Sequence, residues 1–207
     1  MKQLIFGVLS LMSTQLFAQD MKSNKSAFEN KHRNSGFGVV STQYSRFNGQ
    51  NAIFTGAYGG WMLKHKLMIG AGGYWLATNH KGYGVNAETL EPNKYKMGYG
   101  GLVAEYAVLD NSRLHVTANA LVGGGILKNG KGHGSLPNHG SDELKDIDAT
   151  GFYVVQPTVN VEYSVTSWFR VAAGGGYRYI TGADQAGITN RKMSAPTANL
   201  SFKFGGF

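Results

Sequence analysis

The sequence predicts an all-β fold, an eight-stranded antiparallel up-and-down barrel, and three observations predict it. Long stretches alternate apolar and polar side chains. The connections between them alternate short and long. One face of each stretch is almost wholly aliphatic or aromatic, while the other carries amides and charges. The segment VQPTVNVEYSVTSWFRVAAGGGYRYITG, from Val155 to Gly182, shows the pattern. Val155, Pro157, Val159, Val161, Tyr163 and Val165 share one side, and Gln156, Thr158, Asn160, Glu162 and Ser164 share the other. Successive side chains of a strand point to opposite faces, so this period of two reads as strand, interrupted after Val165 and resumed at Phe169.

Composition bounds the class. The chain has 207 residues, suited to one domain of ordinary size. Charged residues are 15% of it, below the roughly 25% of soluble domains. Its 30 glycines are about twice the usual share of ~7%. With no cysteine, neither a disulfide framework nor a thiolate metal site is available. The formal charge of +8 is scattered, densest at Lys22, Lys25, Lys31, His32 and Arg33, with no nucleic-acid motif around it. No nucleic-acid partner is expected; a solvated tail or an anionic lipid surface suits these charges.

The elements follow in order. Residues 1–18 read as a removed secretory signal: Met1-Lys2 is a positive start, Leu4 to Met12 a short apolar run, and Ala18 a small residue at the cleavage position. No later segment reaches ~18 uninterrupted apolar residues, so no helical membrane span is expected. Residues 19–35 are polar and aperiodic, a flexible periplasmic lead-in. Residues 36–207 form the barrel, with strands expected at Gly36–Phe47, Gln50–Leu63, Leu67–Thr78, Tyr95–Leu109, Leu114–Leu127, Phe152–Val165, Phe169–Thr181 and Ala195–Phe207. Most reach the ~9–11 residues that cross a bilayer when tilted.

Connections after the second, fourth and sixth strands are short: Lys64 to Lys66, Asp110 to Arg113 and Thr166 to Trp168. Those after the third, fifth and seventh are long: Asn79–Lys94, Lys128–Gly151 and Gly182–Ser194. Asn48-Gly49 alone is brief among the odd set. Short periplasmic turns and longer extracellular loops are the arrangement of a transmembrane β-barrel.

The faces agree. Leu114, Val116, Ala118, Ala120, Val122 and Ile126 oppose His115, Thr117 and Asn119. Leu102, Ala104, Tyr106 and Val108 oppose Glu105, and Ala198, Leu200, Phe202 and Phe204 oppose Asn199, Ser201 and Lys203. The apolar side is expected to face lipid and the polar side the interior, with every backbone group paired by closure. Trp61, Tyr106, Tyr163 and Trp168 fall toward the short turns, and Tyr44, Trp75, Tyr153, Tyr177 and Tyr179 toward the loops, as two aromatic girdles.

Eight strands leave a bore that side chains can fill. An interior polar network is expected from Glu105, His115, Asn119, Glu162, Arg170 and Arg178. Glu162 and Arg170 are placed symmetrically about Thr166 and Glu105 and His115 about Asp110, so each pair is expected to be directly opposed. Gly70, Gly72, Gly123, Gly125, Gly174 and Gly176 fall inward and make room for longer neighbours. Pro157 removes a ladder donor, and a local bulge is expected there.

With export signal, alternation, eight strands and the terminal Phe207, the chain resembles the small eight-stranded outer-membrane barrels of Gram-negative bacteria, over Gly36 to Phe207. The segment VEYSVTSWFRVAAGGGYRY resembles hairpins of uncharacterised outer-membrane barrel proteins. The resemblance implies residence in the cell outer membrane, among its lipid and lipopolysaccharide, as a monomer. It also implies that Phe207 is the assembly signal for the barrel assembly machinery. The alternate positions back from it hold Gly205 and Lys203 instead of outward apolar residues, and a slip or bulge at Gly205-Gly206 is expected.

A non-enzymatic barrel displaying polar loops, structural or interactive in role, is the leading expectation, with no cofactor and no metal. The surface partner is left open. Two other readings accompany it. Lipid A deacylases of this barrel class use a His-x-Ser pair with a carboxylate, and His133, Ser135 and Glu143 match that set in the fifth connection. A very narrow passive pore is the other. His133 and His139 with Asp142 are the nearest thing to a metal set.

Overall fold

Asn48 and Gly49 both take positive φ, 50° and 78°. Two such residues make a type I′ turn, whose twist matches that of the strands it joins. The turn sets the register of β1 (Ser35–Phe47) against β2 (Gln50–Leu63), with Phe47 opposite Gln50. From this hairpin the computed structural model, which describes residues 35–63, 66–85, 92–111, 113–130, 148–183 and 188–207, builds one closed antiparallel sheet.

The further strands are β3 (Leu67–Leu76), β4 (His80–Val85), β5 (Pro92–Asn111), β6 (Leu114–Gly130), β7 (Asp148–Ser164), β8 (Phe169–Thr181) and β9 (Ala195–Gly205). A four-residue helix α1 (Asn190–Met193) precedes β9. Apart from β3 and β4, which do not pair with each other and both pair with β5, each strand pairs with its sequence neighbours, and β9 returns to β1. Because β3 and β4 occupy one position in succession, the sheet closes as an eight-stranded barrel.

Outside, the wall is apolar: Val40, Leu102, Val122, Val159, Val161, Leu200 and Phe202 are all at least 40% exposed. Inside, Ser41, Gln43, Glu105, Thr117, Asn160, Glu162 and Lys203 are at most 2% exposed. A soluble protein solvates its charges and turns few apolar side chains outward. This sheet turns an apolar face outward and encloses charges, alongside inward Phe37, Val39, Met62, Met68, Val103 and Leu121.

The expected irregularities fall elsewhere than the sequence indicates. Pro157 makes no bulge: β7 and β8 keep one register from Tyr153↔Thr181 to Ser164↔Arg170, and only the pairings of Gln156 and Pro157 are missing from that ladder. On the other side Pro157 pairs with Ala120 without a shift. The lost donor is absorbed as two absent pairings instead of an inserted residue. Nor does a slip occur at Gly205-Gly206, since β9 holds constant register against β1 as far as Gly205 and against β8 as far as Phe204. The bulge sits in β5, between Ala107 and Leu109. Val108 and Leu109, though adjacent, are both exposed, at 56% and 61%, as an inserted residue requires.

Strands also run further than expected at the loop end. β5 begins at Pro92, β6 reaches Gly130, and β7 starts at Asp148. There the faces exchange character. Tyr95, Met97 and Leu127 point inward and are at most 4% exposed, while Lys81, Lys94, Lys96 and Lys128 face outward. An apolar-outside belt is thus continued by an apolar-inside collar.

Candidate functional site in the barrel interior

The interior is the only place where the described residues gather buried chemistry, and it divides by height. At the turn end, Lys203 on β9 stands between two carboxylates. Its Nζ donates to Glu105 Oε1 of β5 at 2.5 Å and to Glu162 Oε1 of β7. All three side chains are fully enclosed. Thr117 Oγ1 donates to Glu162 Oε1 at 2.8 Å, and the Tyr58 hydroxyl donates to Glu105 Oε2 at 3.4 Å. Buried ions are tolerated when paired and hydrogen-bonded, and here each ion has both. Arg170 Nη1 approaches Glu162 Oε2 at 3.8 Å, so two cations stand against two anions.

Above this cluster lies a layer of neutral polar groups. The Tyr99 hydroxyl donates to Gln156 Oε1 at 2.8 Å and lies 3.3 Å from Gln43 Oε1. Asn199 Nδ2 donates to Asn160 Oδ1 at 2.9 Å, and Ser201 Oγ to Ser41 Oγ at 2.8 Å. The cavity among Gln43, Tyr58, Tyr74, Asn119, Gln156 and Asn199 is about 10 Å³, the space of one water at most.

At the loop end Arg178 is held differently. Its Nε donates to Met193 O at 3.1 Å and its Nη2 to Arg46 O at 2.9 Å. The guanidinium lies 4.2 Å from the Phe54 ring centre and 5.9 Å from that of Tyr99. Flat, weakly hydrated guanidinium suits ring faces. Phe47 closes the top edge-on against His80 and Tyr95, at 5.4 and 5.7 Å. Met193 of α1 is fully buried beneath them, and Lys192 O accepts from Asn48 N at 2.9 Å, tying α1 to the β1–β2 turn.

The structure brings some expected residues together and separates others. Glu105, Glu162, His115 and Arg178 are buried, Asn119 is half-buried, and all face inward with Arg170. Glu162 and Arg170 are not directly opposed: Ser164 pairs with Arg170 and Glu162 with Ala172. The connection is longer than three residues, with Val165 and Thr166 both donating to Phe169 O, so the register moves by two and the faces are kept. Glu105 and His115 are not opposed either. The turn pairs Asn111 with Leu114 and so sets His115 against Asp110, and beyond the one-residue bulge at Val108 Glu105 stands against Asn119. On its other side His115 faces Glu162, and its Nε2 is 2.9 Å from Ser164 Oγ. Lys203, which was placed on the polar face but in no pair, is the centre of the cluster. Phe207 turns to the lumen side, where the Arg170 guanidinium lies 4.1 Å over its ring.

His133, Ser135, His139, Asp142 and Glu143 lie outside the described residues. Among the described residues no group of three His, Asp or Glu could hold a metal ion. The Lys203 cluster ties β5, β7 and β9 together, and a cavity of about 390 Å³ at the turn end is lined by its Arg170 with Ser164 and Phe207.

A closed eight-stranded barrel with an apolar outer belt and a polar filled bore is the architecture of small outer-membrane transmembrane β-barrels, and this chain has it. Among solved structures it is similar to neisserial surface protein A, at 14% identity and TM-score 0.53, covering 84% of this chain and 97% of that one. It is similar also to the N-terminal β-barrel domain of Pseudomonas aeruginosa OprF, at 15% identity and TM-score 0.48, covering 84% and 99%. A third is Ail, the attachment invasion locus protein of Yersinia pestis, in complex with the heparin analogue sucrose octasulfate, at 8% identity and TM-score 0.47, covering 83% and 97%. At these identities the likeness is one of fold. No family model matches the chain, and no curated protein matches it.

Proposed function

We propose that this chain is an integral outer-membrane protein, exported by a signal cleaved after Ala18. In this reading it acts without enzymatic chemistry, as a side-chain-filled monomeric barrel that serves a structural or surface-interaction role through its extracellular loops. The observation that carries the reading is the pairing of an apolar exterior with an interior closed to about 10 Å³ at mid-height. Such a wall belongs in lipid, and such a bore has no room for a solute. Phe207 as the assembly signal belongs to the same proposal.

The test is fractionation of the outer membrane with gel mobility before and after heating, joined to planar-bilayer conductance. The expected result is a heat-modifiable band in the outer-membrane fraction with no steady conductance. Stable single-channel currents would return the narrow pore. Lipid A mass spectra that change with the gene and revert with His133→Ala or Ser135→Ala would return the enzyme.

A further inference from the structure

Outward glycines recur on the lipid-facing wall, Gly38 opposite Gly59 near the turns among them, but near the loop end they line up across three strands. Gly73, Gly100 and Gly124 are cross-strand neighbours on β3, β5 and β6, and all three face outward. One level higher, Gly98 lies between Trp75 and Ile126. Just above, the sheet opens. Leu76 to Asn79 stand opposite Lys96 and Met97 alone, between the pairs Trp75↔Gly98 and His80↔Tyr95. The result is an open groove of about 820 Å³ walled by Trp75 and Ile126, within the roughly 300–1,000 Å³ usual for ligand sites.

Its upper rim is cationic. Lys96 is directly opposite Lys128, and Lys81 directly opposite Lys94. All four are exposed, and among the described residues none is in an ion pair with a carboxylate. Like charges directly opposed on a sheet are destabilising unless something anionic lies between them. Nor is the bare floor wholly a packing necessity. A Cβ on Gly98 would meet nothing nearer than 3.8 Å, so a side chain would fit and would fill the groove.

We propose that this groove seats one acyl chain of a phosphate-bearing lipid from the leaflet on the loop side, with the phosphate held between Lys96 and Lys128. An apolar trough of this volume, from Trp75 and Ile126 at Gly98 down to Gly100 and Gly124, lies on the belt side of a pair of cations and suits an amphiphile with an anionic head. The proposal rests on the reading of the chain as a membrane-inserted barrel.

The test uses the full chain with Trp61→Phe and Trp168→Phe, leaving Trp75 as the single emitter beside the groove. It is reconstituted in phosphatidylcholine vesicles carrying either brominated phosphatidic acid or brominated phosphatidylcholine at equal mole fraction. Trp75 should be quenched preferentially by the phosphatidic acid, the preference falling about fivefold for each lysine removed in Lys96→Ala and Lys96→Ala/Lys128→Ala. Gly98→Leu should lower quenching by both lipids. Equal quenching by the two lipids, or a preference unchanged in the double variant, would overturn the site. A preference abolished by inorganic phosphate and indifferent to Gly98→Leu would reduce it to a phosphate contact and overturn the acyl seat. Loss of the heat-dependent mobility shift would overturn the membrane reading with it, whereas an inserted barrel without preference overturns the site alone.

Discussion

The belt and the collar are made of the same strands, yet they differ in what they enclose: the belt adds an ionic cluster to inward Val103 and Leu121, and the collar encloses rings around Arg178. On β5, Glu105 points inward at belt height with Leu102 and Tyr106 outward, while nearer the loops Tyr95 and Met97 point inward with Lys94 and Lys96 outward. No strand reverses its faces between the two heights, since the alternation of side chains is continuous; only the residue types trade places. The exchange of types therefore marks where the surroundings change from lipid to water. The two buried cations follow the same division. Lys203, in the belt, is a compact charge that needs two carboxylates. Arg178, in the collar, is a spread charge served by two carbonyls and two rings.

The largest effect should come from breaking the belt cluster. Lys203→Met leaves Glu105 and Glu162 enclosed without their shared cation and is expected to cost about 3–5 kcal/mol, read from urea unfolding in lipid vesicles. A midpoint within error of wild type would mean that water or another cation replaces the ammonium.

The outer face separates the two heights next. Val159→Arg sets a cation in the belt wall and should cost about 2–4 kcal/mol. Lys94→Ile, in the collar, should stay within about 0.5 kcal/mol. If both changes proved equally harmless in the same vesicles, the boundary drawn between belt and collar would be misplaced.

Arg178→Met removes a charge whose neighbours are neutral, so what remains are two unmet carbonyls and the lost ring contacts. A smaller loss, about 1–3 kcal/mol, is expected. A loss as large as that of Lys203→Met would point to an acidic partner for Arg178.

The smallest effect concerns Glu162 and Arg170. At 3.8 Å, with Arg170 partly exposed and stacked on Phe207, their coupling should be below about 1 kcal/mol. A double-mutant cycle of Glu162→Gln with Arg170→Met measures it. Coupling of several kcal/mol would mean that Arg170 competes with Lys203 for the same carboxylate.

The strands, their faces and the closure of the sheet were legible because alternation is local. Val159 and Thr158 declare their sides by being neighbours. What stayed hidden depends on distant residues. Ser164 opposite Arg170 is decided by how the turn at Val165 folds, and Glu105 opposite Asn119 by one extra residue at Val108. Lys203 meets Glu105 across 98 positions of sequence, a contact that follows from closure and strand tilt and leaves no trace in either strand alone. β4 was missed because HKGYGV is short and glycine-rich, and because the start of β5, beside which it lies, carries its lysines on the outside. The outward glycines escaped notice for a related reason: Gly73, Gly100 and Gly124 mean little singly and form a row only once three strands are aligned.

The order of the strands in the chain gives the Lys203 cluster a further meaning. Both carboxylates arrive early, Glu105 on β5 and Glu162 on β7, while the ammonium that serves them comes on β9, the strand that also seals the sheet against β1. A wall lacking β9 would carry these two carboxylates on its inner side without their shared ammonium. Docking completes the backbone ladder and neutralises the lumen in the same event. Closure is therefore rewarded twice, and a sheet sealed by any strand lacking a cation at this height would be left with its interior charge unbalanced.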